Sequence, residues 1–234
     1  MKEQNRSSAV MQQRNEPADS LDDFRTPPFA TRALCQFLTK GPPCETLSDC
    51  SVREPSANVG HMAKPLLEYF GAVYASDIHD YGVGYPVRDY LFGPAAHLSK
   101  THWTVANPPF RLAEQFIERA CELSTRGVAM LVRTSFLESE GRYERLFSKN
   151  PPAYVLQFTE RVVMLKSRLV RAGDPDPGNI DPKTGKPRTA STATSYAWLV
   201  WFTGPSAQTV THFRWIKPCR RELERSGDYP EAST

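Results

Sequence analysis

The sequence predicts an α/β domain: a mostly parallel sheet with helices on both faces. Three stretches carry this expectation. Residues 127–132 (Gly-Val-Ala-Met-Leu-Val) are nearly all apolar, as a strand covered on both faces must be. Residues 103–106 read as a second buried strand, which meets the turn Asn107-Pro108-Pro109-Phe110 and then a helical pattern over 111–123. Residues 51–77 show the same strand–turn–helix order and add a further strand, giving a βαβ unit. In open sheets of this kind ligands bind where strands end and helices begin, so both turns are candidate site segments.

Composition agrees with one such domain. A chain of 234 residues is long enough to bury a sizeable core. No apolar run reaches the length of a membrane span, and the polar start Met1-Lys2-Glu3-Gln4-Asn5 lacks signal-peptide character. A cytoplasmic protein is therefore expected. Cys35, Cys44, Cys50, Cys121 and Cys219 form no CxxC pair and are expected to be free thiols. His61, His79, His97, His102 and His212 have no paired spacing suited to a metal or to acid–base work. The net charge of +3 is unevenly placed. Residues 160–225 hold twelve Lys or Arg against six Asp or Glu, which leaves the remainder at −3. Such asymmetry suits contact with a polyanion.

Taken in order, residues 1–20 are polar and read as a disordered N-terminal arm. Thr26 is placed as an N-cap with Pro27 as the first helical residue, and Ala30, Ala33, Leu34, Phe37 and Leu38 continue a helix that stops near Gly41. A strand ending at Glu54 is followed by a small-residue turn through Ser56, Asn58 and Gly60. A helix over about 62–70 comes next, and a strand over 72–77 ends on Asp77. Small residues let backbone approach a ligand, and a carboxylate closing the second strand suits ribose hydroxyls, which is the physics of nucleoside binding. Residues 81–100 read as a loop carrying Asp89-Tyr90-Leu91. Residues 135–147 read as a helix, and 154–158 and 162–165 as short strands. Residues 172–194, rich in Asp, Pro, Gly and Lys, read as a long mobile loop. Residues 195–202 and 210–216 are strand-like, with Gly204-Pro205 between them marking a hairpin.

Asn107-Pro108-Pro109-Phe110, behind a Glu54–Gly60 turn and an Asp77-capped strand, resembles the S-adenosylmethionine-dependent DNA amino-methyltransferases. The similarity is strongest to adenine-N6 enzymes of the small phage type. It implies a Rossmann-like class I methyltransferase fold over residues 21–217, with a basic mobile loop at about 166–194, a C-terminal antiparallel hairpin, and a tail over 218–234. It also implies transfer of a methyl group to an exocyclic base amine in DNA, adenine N6 before cytosine N4. In such enzymes the Asn side-chain oxygen and the first Pro carbonyl accept the amine hydrogens, and the aromatic ring stacks on a flipped base. The corresponding catalytic residues are Asn107, Pro108, Pro109 and Phe110. Those for S-adenosylmethionine are Thr26, Pro27, Glu54, Ser56, Asn58, Gly60, Asp77 and Asp89. Asn58 stands where the family has glycine, and Asn is the residue that best tolerates the left-handed conformation this requires.

Lys166, Arg168, Lys183, Lys186 and Arg188 are the expected DNA contacts, with no metal and no membrane among the partners. Arg133, after the strand at 127–132, is placed near the target base, meeting a phosphate or pairing with Glu138. RNA adenine and protein glutamine methyltransferases share the Asn-Pro-Pro-aromatic turn, because both acceptors are planar nitrogens. A degenerate fold that only binds nucleic acid is the third alternative.

Overall fold

The computed structural model describes residues 22–41, 44–94, 98–204 and 210–230. The arm expected over 1–20 lies outside the described residues. Helix α1 (Pro28–Lys40) is followed by β1 (Ser51–Glu54), α2 (Ala63–Leu66), β2 (Ala72–Ala75), β3 (Thr101–Ala106), α3 (Ala113–Leu123) and β4 (Ser124–Arg133). Then come α4 (Glu140–Arg142), β5 (Tyr154–Phe158), β6 (Pro175–Ile180), β7 (Pro187–Thr189), β8 (Tyr196–Phe202), β9 (His212–Ile216) and α5 (Arg220–Leu223). Seven strands make one sheet in the order β2-β1-β3-β4-β8-β5-β9. β8 runs against both of its neighbours, and the remaining pairs are parallel. The expected mostly parallel sheet is present.

Strand alternation sorts the core onto two faces. Val52, Trp103, Val105, Leu131 and Trp198 share one cluster with Leu34 and Leu38 of α1 and Leu66 of α2. Val128, Met130, Val132, Leu199 and Trp201 share the other with Phe116, Ile117 and Ala120 of α3. Trp198 is fully buried and donates its indole N–H to the Ala30 carbonyl (3.0 Å), so α1 is fixed to the sheet by packing and by a satisfied polar group. Truncating such a ring costs roughly 3–5 kcal/mol. Gly127 is required where it stands, since a Cβ there would lie 2.5 Å from the Trp103 ring.

Several local expectations are corrected. Residues 195–202 and 210–216 do not pair as a hairpin, because β5 lies between them. β8 is buried along almost its whole length and needs partners on both edges, whereas β9 is exposed and takes the rim. The loop at 172–194 contains an antiparallel ribbon of β6 and β7. Its tip is a turn in which Asp181 accepts from the N–H groups of Lys183 and Thr184. The helix expected over 135–147 is broken into a 3-10 turn, the short α4 and a π turn. Residues 162–165 form no strand and carry only an isolated bridge at Leu165. Pro27, not Thr26, is the N-cap of α1, because the Thr26 hydroxyl is used elsewhere. The described part of the tail, to residue 230, packs back on α1 through Arg32. Arg32, 3% exposed, draws in Asp228 (2.6 and 2.8 Å) alongside Glu68, since a buried guanidinium needs its charge matched.

Candidate active site

β1, β3 and β4 run parallel and end on one edge at Glu54, Ala106 and Arg133, the carboxyl edge at which open sheets of this kind bind ligands. Asn107 is the first residue beyond β3. Its side-chain amide donates to the Phe24 carbonyl (3.0 Å) and to the Thr26 hydroxyl (3.1 Å), while that hydroxyl is directed at the Met164 sulfur (3.7 Å). This network fixes which end of the amide is which, because the opposite orientation would set two oxygens against each other at Phe24. Asn107 Oδ1 is left buried, and among the described residues it has no hydrogen-bond partner. An acceptor in that state is costly unless a donor arrives.

Alternate residues of the turn face two cavities. Asn107 and Pro109 line one of about 320 Å³, together with Ser56, Asn58, Asp77 and Asp89. Pro108 and Phe110 line a smaller one of about 150 Å³, together with Val132, Arg133 and Phe136. The larger cavity is acidic: Asp22, Asp77 and Asp89 face a single cation, Arg111, and Ile78, Tyr81, Leu91 and Leu112 supply apolar wall. Asp77 accepts from the N–H groups of Asn58 (2.8 Å) and His79 (3.0 Å), one on each oxygen, so each oxygen keeps a second lone pair. Asn58 has φ +51°, the left-handed conformation, and its side chain is held by Asp23 (2.6 Å).

Glu54 is fully buried. One oxygen accepts from the Ser56 N–H and hydroxyl (3.2 Å each), and the other has no partner among the described residues. Burial first, then the neighbouring Asp77 charge, pushes its carboxyl well above the usual range.

Of the residues expected at a cofactor site, Ser56, Asn58, Asp77 and Asp89 meet around the larger cavity. Glu54 lies directly behind Ser56. Thr26 buttresses Asn107 and does not line the cavity, and neither does Pro27. Gly60 (φ +89°) is also outside the lining, and its missing Cβ leaves room for the Tyr85 hydroxyl. Of the expected DNA contacts, Arg168 is held by Asp176 (2.7 and 2.8 Å) and Arg188 by Asp181 (3.3 Å), while Lys183 and Lys186 are exposed on the ribbon and its turn. Lys166 is half-buried and bridges to Phe24.

Sequence reasoning missed Asp22, which accepts the Phe110 N–H (2.8 Å), and Tyr81, which no motif marks. Arg133 lies over the Phe110 ring and makes no ion pair with Glu138 among the described residues. Its place at the end of the neighbouring strand was the available signal.

No family model matches the sequence, and comparison with curated proteins gave no match. Solved structures do match in fold. One is a Listeria monocytogenes protein assigned to the class I S-adenosylmethionine-dependent methyltransferases, with a TM-score of 0.56 at 11% identity over 85% of this chain and 67% of that one. A Pyrococcus horikoshii protein assigned as an RNA methyltransferase gives 0.52 at 15% identity, over 84% and 94%. A modification subunit assigned to a type I restriction enzyme of Vibrio vulnificus gives 0.52 at 15% identity, over 96% and 53%, so this chain spans about half its length. The fold is that of the class I S-adenosylmethionine-dependent methyltransferases. Among the described residues no helix is long and apolar enough to cross a membrane.

Proposed function

We propose that the protein transfers a methyl group from S-adenosylmethionine to the exocyclic amine of a base in DNA, with adenine N6 the preferred acceptor. The observation that carries this reading is the buried, partnerless Oδ1 of Asn107, a residue of the larger cavity whose side chain is held in place by Phe24 and Thr26. The residues of the larger cavity suit the cofactor. Carboxylates of Asp22, Asp77 and Asp89 match a ligand with an ammonium, a sulfonium and ribose hydroxyls, and the Tyr81 and Leu91 side chains suit a purine. Asp77 would hold the ribose and Asp89 the adenine end. The bound cofactor supplies an electrophilic methyl group.

The chain's own part is orientation. Asn107 Oδ1 and the Pro108 carbonyl accept the two amine hydrogens, which turns the nitrogen lone pair towards the methyl donor. Asn is neutral and takes no proton, so alignment rather than base catalysis is its contribution, and the proton that the methylated nitrogen sheds passes to water. Phe110 and Arg133 bound the smaller cavity, where the base would enter. Asn107→Ala is expected to lower the methyl-transfer rate on the order of 100-fold or more, while calorimetry still detects S-adenosylmethionine binding. Equal loss of both would mean that Asn107 serves only the cofactor site.

DNA is favoured over protein by the ribbon. β5 ends and β8 begins on the carboxyl edge, so the segment between them, which carries Lys183 and Lys186, leaves and rejoins the sheet on the same edge as Asn107. With Arg168 and Arg188 already paired, those two lysines are the expected phosphate contacts. Neutralising both should reduce the slope of log affinity against log salt for duplex DNA by roughly two. An unchanged slope would remove the ribbon from the interface.

A further inference from the structure

A third depression lies on the same edge, outside the site described above. It is a groove of about 660 Å³ between the end of β4 at Thr134, the end of β5 at Gln157 to Arg161, the start of β8, and β9. Strand order therefore lines up three features along one edge: the acidic cavity at β2, β1 and β3, the Phe110 cavity at β3 and β4, and the groove from β4 to β9. Arg133 lines the second and Thr134 the third, so the two adjoin.

The far wall carries two aromatic residues that folding leaves outside. Phe213 is 50% and Trp215 is 68% exposed, and their rings meet edge to face at 4.7 Å. A strand rim normally avoids large exposed apolar side chains, and two of them facing a groove mark a contact surface. Neighbouring polar groups are already arranged. Arg161 donates to the Ala193 carbonyl and the Ser195 hydroxyl (3.0 Å each), which holds its guanidinium at the groove. The Glu160 carboxylate accepts from the N–H groups of Cys219 and Arg220 at the start of α5 and is engaged there. Residues 160–225 hold the chain's positive excess.

We propose that this groove is a track for an unpaired nucleic-acid strand, in which a base flanking the target stacks on Trp215 and Phe213. The inference rests on the nucleic-acid reading of the Asn107 site and adds to it: the substrate is engaged with its bases accessible, not only as a closed duplex. Aromatic platforms with a nearby cation bind single strands without reading sequence, because every base has a stacking face.

The test is a fluorescence-anisotropy titration of the full chain with an adenine-containing oligonucleotide, single-stranded and as duplex, alongside a methyl-transfer assay. Trp215→Ala is expected to weaken single-strand binding about five-fold or more, and Trp215→Phe to restore most of it. The cofactor affinity should stay unchanged. Both positions are exposed, so folding is unaffected, and circular dichroism will verify this. Oligonucleotide that is bound and methylated equally well by Trp215→Ala would overturn this inference and leave the proposed function standing. A loss of self-association in Phe213→Ala/Trp215→Ala, with strand affinity intact, would also overturn it by making β9 a contact between copies. Failure of the wild-type chain to bind either oligonucleotide would overturn both readings.

Discussion

The side-chain nitrogen of Asn107 lies 3.1 Å from the hydroxyl oxygen of Thr26, eighty-one positions earlier in the chain. This contact sets Thr26 behind the Asn107–Phe110 turn and apart from the acidic cavity. Thr26→Val keeps the side-chain shape and removes the acceptor. It should lower turnover about five- to ten-fold, the weight of one lost hydrogen bond, without changing S-adenosylmethionine affinity. Calorimetry and steady-state kinetics on the same variant separate the two. A weakened affinity with normal turnover would return Thr26 to the cofactor site.

Glu54 gives a pH signature. Its carboxyl is pushed well above the ordinary value of 4.5 by burial and then by Asp77. A raised folded-state value means that the folded protein holds this proton more tightly than the unfolded chain. Stability from this source is complete below about pH 4.5 and is lost as pH rises towards the folded value. Glu54→Gln should therefore match the wild type in urea titrations at low pH and exceed it increasingly towards neutrality. A gap that narrows as pH rises would show that Glu54 is stabilised as a carboxylate.

Asp228 ties the described part of the tail to α1. Asp228 and Glu68 together neutralise Arg32, whose guanidinium is almost wholly buried. Asp228→Asn should cost about 3 kcal/mol, the lower end for breaking a buried pair, because Glu68 remains. Denaturant unfolding measures this directly. A loss within experimental scatter would make the tail dispensable.

These contacts mark what the sequence could and could not disclose. The sheet was legible because β4 and β8 are apolar runs, and the turn at Asn107 because Asn-Pro-Pro-Phe must interrupt a strand. Asp77 and Asn58 were legible from their offsets from Glu54. What escaped depends on long-range partners. Neither the need of Arg32 for Asp228 nor the place of Thr26 against Asn107 leaves a local pattern. The pairing of β9 with β5 was hidden by Gly204-Pro205, which suggests a hairpin whatever strand lies between. The ribbon was hidden by its polar composition, since β6 and β7 are held by a turn and an Arg168–Asp176 pair with little buried apolar surface.

The most direct test of the central claim is chemical. The wild-type chain and Asn107→Ala are incubated with methyl-labelled S-adenosylmethionine and offered DNA, RNA and protein. The labelled nucleic acid is then digested to nucleosides and the modified base identified by mass spectrometry. The expected result is N6-methyldeoxyadenosine from the wild type and almost none from the variant. Label confined to protein or RNA, or cofactor binding without transfer to any acceptor, would contradict the assignment.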